Sequence, residues 1–177
     1  MRYLLTALIL IILVTGCTTQ SDTDEVLTDK VYPDQESWDS QIILTKEGVK
    51  RAVINSKHLR KFGNRSEILM DEGVDVDFFD IYESHLSHLK SQNAKVNERT
   101  NDLFAKGNVV VVSDSGVTLY TEELYWDHKK EKIVTDLAMM LVTDQDTLYG
   151  IGFESDSDLE NWIINKPTGV TDRIIKE

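Results

Sequence analysis

The chain reads as all-β. Three observations carry this. The first is a set of strand-like stretches: Gly107-Asn108-Val109-Val110-Val111-Val112, Leu119 to Asp127, and Gly150 to Asp156. The second is a turn signal about every 8–14 residues, the spacing of an antiparallel sandwich or open barrel. The third is the lack of any long, capped apolar stripe of helical period.

The elements follow in order. Trp38 to Thr45 alternates loosely and stops at Lys46-Glu47-Gly48. Val49 to Ser56 sets Val49, Arg51 and Val53 against Lys50, Ala52 and Ile54, which suits a half-buried strand. Phe62-Gly63-Asn64-Arg65 reads as a turn, and Asp71-Glu72-Gly73 after Ile68-Leu69-Met70 as another. Val74, Val76 and Phe78 alternate with Asp75, Asp77 and Phe79. Residues 87–96 form a poor helical stripe, so a strand is expected there. Asn97 to Asp102 is turn-like, and Leu103-Phe104-Ala105 leads into the valine run. Ser113-Asp114-Ser115-Gly116 is a hairpin loop and Val117 to Trp126 the next strand. After the charged link Asp127 to Glu131 come two short strands, Lys132 to Asp136 and Met139 to Thr143. Asp144-Gln145-Asp146 turns into Thr147 to Phe153.

The N-terminus carries export information. Met1-Arg2 precedes an apolar run from Leu4 to Val14, too short to span a bilayer comfortably. Val14-Thr15-Gly16-Cys17 then matches a bacterial lipobox. Residues 1–16 are expected to be a lipoprotein signal peptide. Cys17 is expected to be the lipid-bearing first residue, with 17–35 a flexible tether. Cys17 is the only cysteine, so the exported domain has no disulfide. Residues 36–166 read as the folded domain and 167–177 as a tail.

Composition excludes some classes. The chain has 31 acidic and 19 basic residues, a formal charge of −12. That argues against nucleic acid, which demands neutralised phosphates. There is no polybasic patch for anionic lipid headgroups. No Gly-x-Ser-x-Gly elbow and no phosphate loop is present. Gly150-Ile151-Gly152 is not followed by a helical pattern and reads as a bulge or a close backbone approach. His85 and His88 lack a converging ligand set, so neither a metal site nor any cofactor is expected. His58 and His128 lie in polar stretches and read as solvated. Asp71, Glu72, Asp75, Asp77 and Asp80 do not follow the spacing of a calcium loop. They read as a solvated strand face, as do Glu154, Asp156, Asp158 and Glu160. No carboxylate pair is singled out for glycoside chemistry.

Residues 36–166 resemble the LptC family, the membrane-anchored periplasmic component of lipopolysaccharide export. The resemblance rests on the order and spacing of four segments: Leu103 to Val109, Leu119 to Asp127, Lys132 to Asp136, and Gly150 to Asp156. It implies an antiparallel β-jellyroll, or β-taco: two sheets packed as an open V with an apolar interior. It also implies that lipopolysaccharide is received from an inner-membrane ABC transporter and passed to a periplasmic bridge protein of the LptA type through the C-terminal edge strands, 147–164. Better-known members carry an N-terminal transmembrane helix, which the lipobox replaces here. The family role implies the inner membrane for the anchor, facing the periplasm, although Thr18 is not the retention aspartate of enteric lipoproteins.

Alternation predicts which residues would line such a groove: Val109, Val111, Leu119, Leu124, Trp126, Ile133, Leu141, Leu148 and Phe153. A one-residue register slip would turn any strand's set outward. Two other readings compete with lipid carriage: a scaffolding lipoprotein that uses the same edges without lipid, and an envelope enzyme with one or two essential carboxylates.

Overall fold

The computed structural model describes residues 32–169; the expected signal peptide (1–16), Cys17, and most of the expected tether (17–35) and tail (167–177) lie outside them. Ten strands form one antiparallel sheet: β1 (Gln35–Lys46), β2 (Val49–Phe62), β3 (Glu67–Phe79), β4 (His85–Ser91), β5 (Asn93–Asn97), β6 (Leu103–Ser113), β7 (Thr118–Asp127), β8 (Lys132–Val142), β9 (Thr147–Asp156) and β10 (Trp162–Pro167). The all-β jellyroll expectation holds. Spatial order follows chain order, with β4 and β5 placed end to end between β3 and β6. Hairpin connections explain this, because consecutive antiparallel strands need only short turns.

The two layers of the V are two halves of this one sheet, folded along a line of bulges. Register shifts fall between Ser56 and His58, between Lys106 and Val109, between Thr121 and Tyr125, and between Thr135 and Ala138. The break between β4 and β5 lies on the same line. There Gly73 N–H donates to the Gln92 carbonyl at 3.1 Å and Gln92 N–H to the Gly107 carbonyl at 3.0 Å. A bulge adds an unpaired residue and bends its strand. Aligned on successive strands, bulges crease the whole sheet.

Local chemistry accounts for the crease. Glu72, Gly73, Gly107, Asn108 and Gly152 all have positive φ, the left-handed region that glycine enters without strain. Hydroxyls satisfy the backbone freed at the bends. Ser56 Oγ donates to the His58 carbonyl at 2.8 Å, Ser91 Oγ to the Asn93 carbonyl at 3.0 Å, and Thr121 Oγ1 to the Ala138 carbonyl at 3.1 Å.

The crease also explains where the strands differ from the sequence reading. Asp71-Glu72-Gly73 bends β3 instead of ending it. Lys132 to Thr143 holds one bent strand, β8, instead of two short ones. Residues 87–96 hold two strands, β4 and β5, instead of one.

Candidate functional site: an apolar trough between the two halves

Each strand sends alternate side chains to the inner face. On one half the cross-strand partners form an unbroken apolar row: Ile42, Ile54, Val76, Leu89, Val111, Leu119, Leu141 and Leu148. At ~4.8 Å per strand the row extends about 34 Å. On the other half Ile68, Val96, Leu103, Trp126 and Ile133 form a second row. The halves meet where Phe78 packs on Trp126, with ring centroids 5.1 Å apart at 56°.

Eight of the residues read as inward from alternation, Val109, Val111, Leu119, Leu124, Trp126, Ile133, Leu141 and Phe153, are each at most 1 % exposed. Leu148 is partly buried against the same core near the end of its row. Val111, Leu119, Leu141 and Leu148 are neighbours in one row, and Trp126 and Ile133 in the other. Leu124 continues a parallel line of Ala94 and Ala105.

The sequence reading missed residues at the mouth. Ser155, Ser157 and Leu159 are buried between Glu154, Asp156, Asp158 and Glu160. That run is therefore one exposed or half-exposed side of an alternating segment. The signal was available: the acidic residues are spaced by two, and the residues between them are small or apolar. Arg51 is 7 % exposed and pairs with Glu131 at 2.6 Å; Lys46 reaches the same carboxylate at 3.0 Å. These pairs join the β1–β2 hairpin to the β7–β8 turn.

The outer face is largely polar but carries apolar rows. Val110, Tyr120, Met140 and Tyr149 are successive cross-strand partners beside a hollow of about 380 Å³.

The histidines are not simply solvated. His58 stacks on Trp38 at 5.3 Å and lies between Glu36 (2.7 Å) and Asp71 (2.5 Å). Hydrogen bonds to Glu36 and then Asp71 raise its pKa. Among the described residues, His58, Asp71 and Glu72 are the one group whose donor atoms converge as metal ligands do. Asp71 there already accepts from Arg60 at 2.5 Å, so the group is a charge network. His88 bonds Asp77 at 2.6 Å and Asp75 at 3.0 Å, and His85 bonds Asp114 at 2.8 Å, all on the outer face. His128 corrects the sequence reading outright. It is 7 % exposed, packed edge-on against Trp126, and burial lowers its pKa, with Lys46 adding to the effect. The β7–β8 turn carries it inward.

Among the described residues the interior is thus long and apolar, with Arg51 and His128 its buried titratable side chains. Such a lining suits hydrocarbon. No helix among the described residues is long and apolar enough to cross a membrane. No curated protein matches the chain. The family model described as "Lipopolysaccharide-assembly, LptC-related" matches residues 4–164, which takes in every strand from β1 to β9 and part of β10. The chain therefore belongs to the LptC family, a family of lipopolysaccharide-transport components.

Proposed function

We propose that this protein is a lipid-anchored periplasmic carrier. It takes lipopolysaccharide from an inner-membrane ABC transporter, shelters the acyl chains in the trough and hands them to an LptA-type bridge protein. The observation that carries this reading is the unbroken apolar row of one residue per strand from Ile42 to Leu148. Exposing a twelve-carbon chain to water costs about 9 kcal/mol at roughly 0.8 kcal/mol per methylene. A carrier must therefore offer continuous apolar surface, and a row crossing the strands provides it.

The sheet edges support the partner assignment. β1 and β10 end the sheet, and each leaves backbone groups free for strand addition. β10 also exposes Ile163, at 63 %. In this reading β10 meets the bridge protein and β1 the transporter. Cys17 holds the protein on the membrane through its acyl chains, and the inner membrane suits the hand-over from the transporter.

The test is photocrosslinking in cells, with the probe at Leu119 and a control at Lys129 in the exposed β7–β8 turn. A crosslinker is preferred to a charged substitution, because a charge at fully buried Leu119 would unfold the domain. A lipopolysaccharide adduct at Leu119 and none at Lys129 is expected. A folded, membrane-attached protein that forms no adduct at Leu119 would favour the scaffold reading, in which only the edges act.

A further inference from the structure

The loop between β9 and β10 does not run over the outside of the sheet. It crosses the mouth of the trough. Ser87 Oγ donates to the Ser157 carbonyl at 2.5 Å, and Ser113 Oγ to the Asp158 carbonyl at 2.5 Å. Ser87 and Ser113 face each other across β4 and β6, on the rim of one half. Trp126, on the rim of the other half, donates from Nε1 to Ser157 Oγ at 3.2 Å. Three hydrogen bonds thus tie one short loop to both halves.

The next residue is Leu159. Its side chain is 0 % exposed and belongs to the same core cluster as the trough lining. Its backbone sits at φ +58°, a region that branched side chains rarely adopt. A leucine held there is in a strained conformation, which its burial offsets. Outside the loop lies a hollow of about 520 Å³. Exposed Ile81 and Tyr82 line it together with Leu86, and Ser157 and Asp158 form part of its wall. The rest of the hollow is charged, lined by Arg51, Asp80, Lys130, Glu131, Lys132 and Asp156, so the loop stands between an apolar interior and a hollow whose apolar patch, Ile81, Tyr82 and Leu86, is set among charged groups.

From this arrangement we infer that the position of Leu159 is a hydrocarbon site, filled in this conformation by the chain itself. A linear acyl chain entering from the hollow by Ile81 and Tyr82 displaces Leu159 and takes its place against the core. The inference rests on the carrier reading above and names the point of entry. Three features favour an acyl chain over a polar ligand. The group now in the site is an alkyl side chain. The polar atoms nearby, the hydroxyls of Ser87 and Ser113 and the indole N–H, are already satisfied by the loop. The lining is close-packed, so a chain gains a place by replacing an existing group. Only a ligand with more apolar surface than one leucine shifts that equilibrium.

The design also gives the loop a reason to be strained. A plug held by a low-strain residue would resist displacement. A plug held by a left-handed leucine releases strain as it leaves.

The experiment uses the full lipid-anchored chain with the photoprobe at Leu119. Ser87→Cys and Ser157→Cys are joined by a short bifunctional thiol reagent, and each single variant receives the same reagent as a control. Joining the pair should cut the lipopolysaccharide adduct at Leu119 about ten-fold, as expected when an obligatory open state is removed. The single variants should keep it. An adduct that persists undiminished in the joined protein would overturn the plug and leave the carrier reading intact. Absence of the adduct at Leu119 from the folded chain without the cysteine substitutions would overturn both.

A second variant checks the site from the other direction. Leu159→Gly removes the plug side chain and relieves the backbone, so the fold is retained. Uptake of a fluorescent long-chain fatty acid should rise several-fold over the unaltered chain. Unchanged uptake by a folded variant would count against the site.

Discussion

His128 shows how a single side chain can escape a sequence pattern. It sits among Asp127, Lys129, Lys130 and Glu131, which suggests water, yet the turn carries it under Trp126. Burial favours its neutral form and lowers its pKa below the usual 6.5. The folded state then binds fewer protons than the unfolded one as pH falls through about 6.5, so this residue removes stability on acidification. His58 and His85 have raised pKa values and act with the opposite sign. Their contributions are complete below about 6.5 and fade as pH rises through their folded values. His128→Phe should therefore weaken the loss of stability between about pH 6.5 and 5 relative to the unaltered chain. Urea unfolding at both pH values checks this; an unaltered pH slope would mean that His128 is not the group that titrates.

At the scale of the element, the recurrent device is the bent strand. Gly150-Ile151-Gly152 was legible as a bulge or a close approach, and both occur. A Cβ on Gly150 would strike the Ile164 side chain of β10, and Gly152 sits at φ +80° on the crease with Asn165 against it. Gly152→Val combines a β-branched residue, a positive φ and a contact of 2.7 Å with Asn165 Nδ2. It should cost about 2–3 kcal/mol. The loss should appear as faster amide exchange in β9 and β10 before the rest of the sheet. Uniform exchange across all strands would show that the crease is not a local support. The bends in β3 and β8 were not legible. A turn and a bulge use the same residues, such as Asp71-Glu72-Gly73, and differ only in whether the chain reverses afterwards. That outcome is set by the neighbouring strands, because Asp71 to Val74 keeps its pairing with β2 on both sides of the bend.

At the scale of the whole molecule, the sheet buries its apolar rows and leaves both its ends open to pairing. The two exposed edges are a liability in any free sheet protein. β10 softens the hazard with Lys166 and Pro167 at its end, yet leaves Ile163 exposed. Ile163→Glu should leave thermal stability within about 0.5 kcal/mol, as surface changes do. It should weaken binding of a purified LptA-type bridge protein about ten-fold if β10 is the partner edge, since a buried charge at the joint is costly. Unchanged affinity would direct the bridge protein to another surface, with the outer row of Val110, Tyr120, Met140 and Tyr149 next to examine.

The sequence by itself determined the all-β class, the strand centres, the family and the inward set from Val109 to Phe153. These depend on a period of two, on turn residues and on segment order, all of which are local or linear properties. Only the tertiary structure decided that the two layers are one creased sheet, that His128 is buried, and that Leu159 packs into the core. Each of these depends on contacts between residues far apart in the chain: Phe78 with Trp126, Ser87 with Ser157, and Ser113 with Asp158. The spacing by two in Glu154 to Glu160 separates Leu159 from its acidic neighbours, but it does not say which side of the segment meets the core. That choice is made by the hydrogen bonds that Ser87, Ser113 and Trp126 form with the segment just before it.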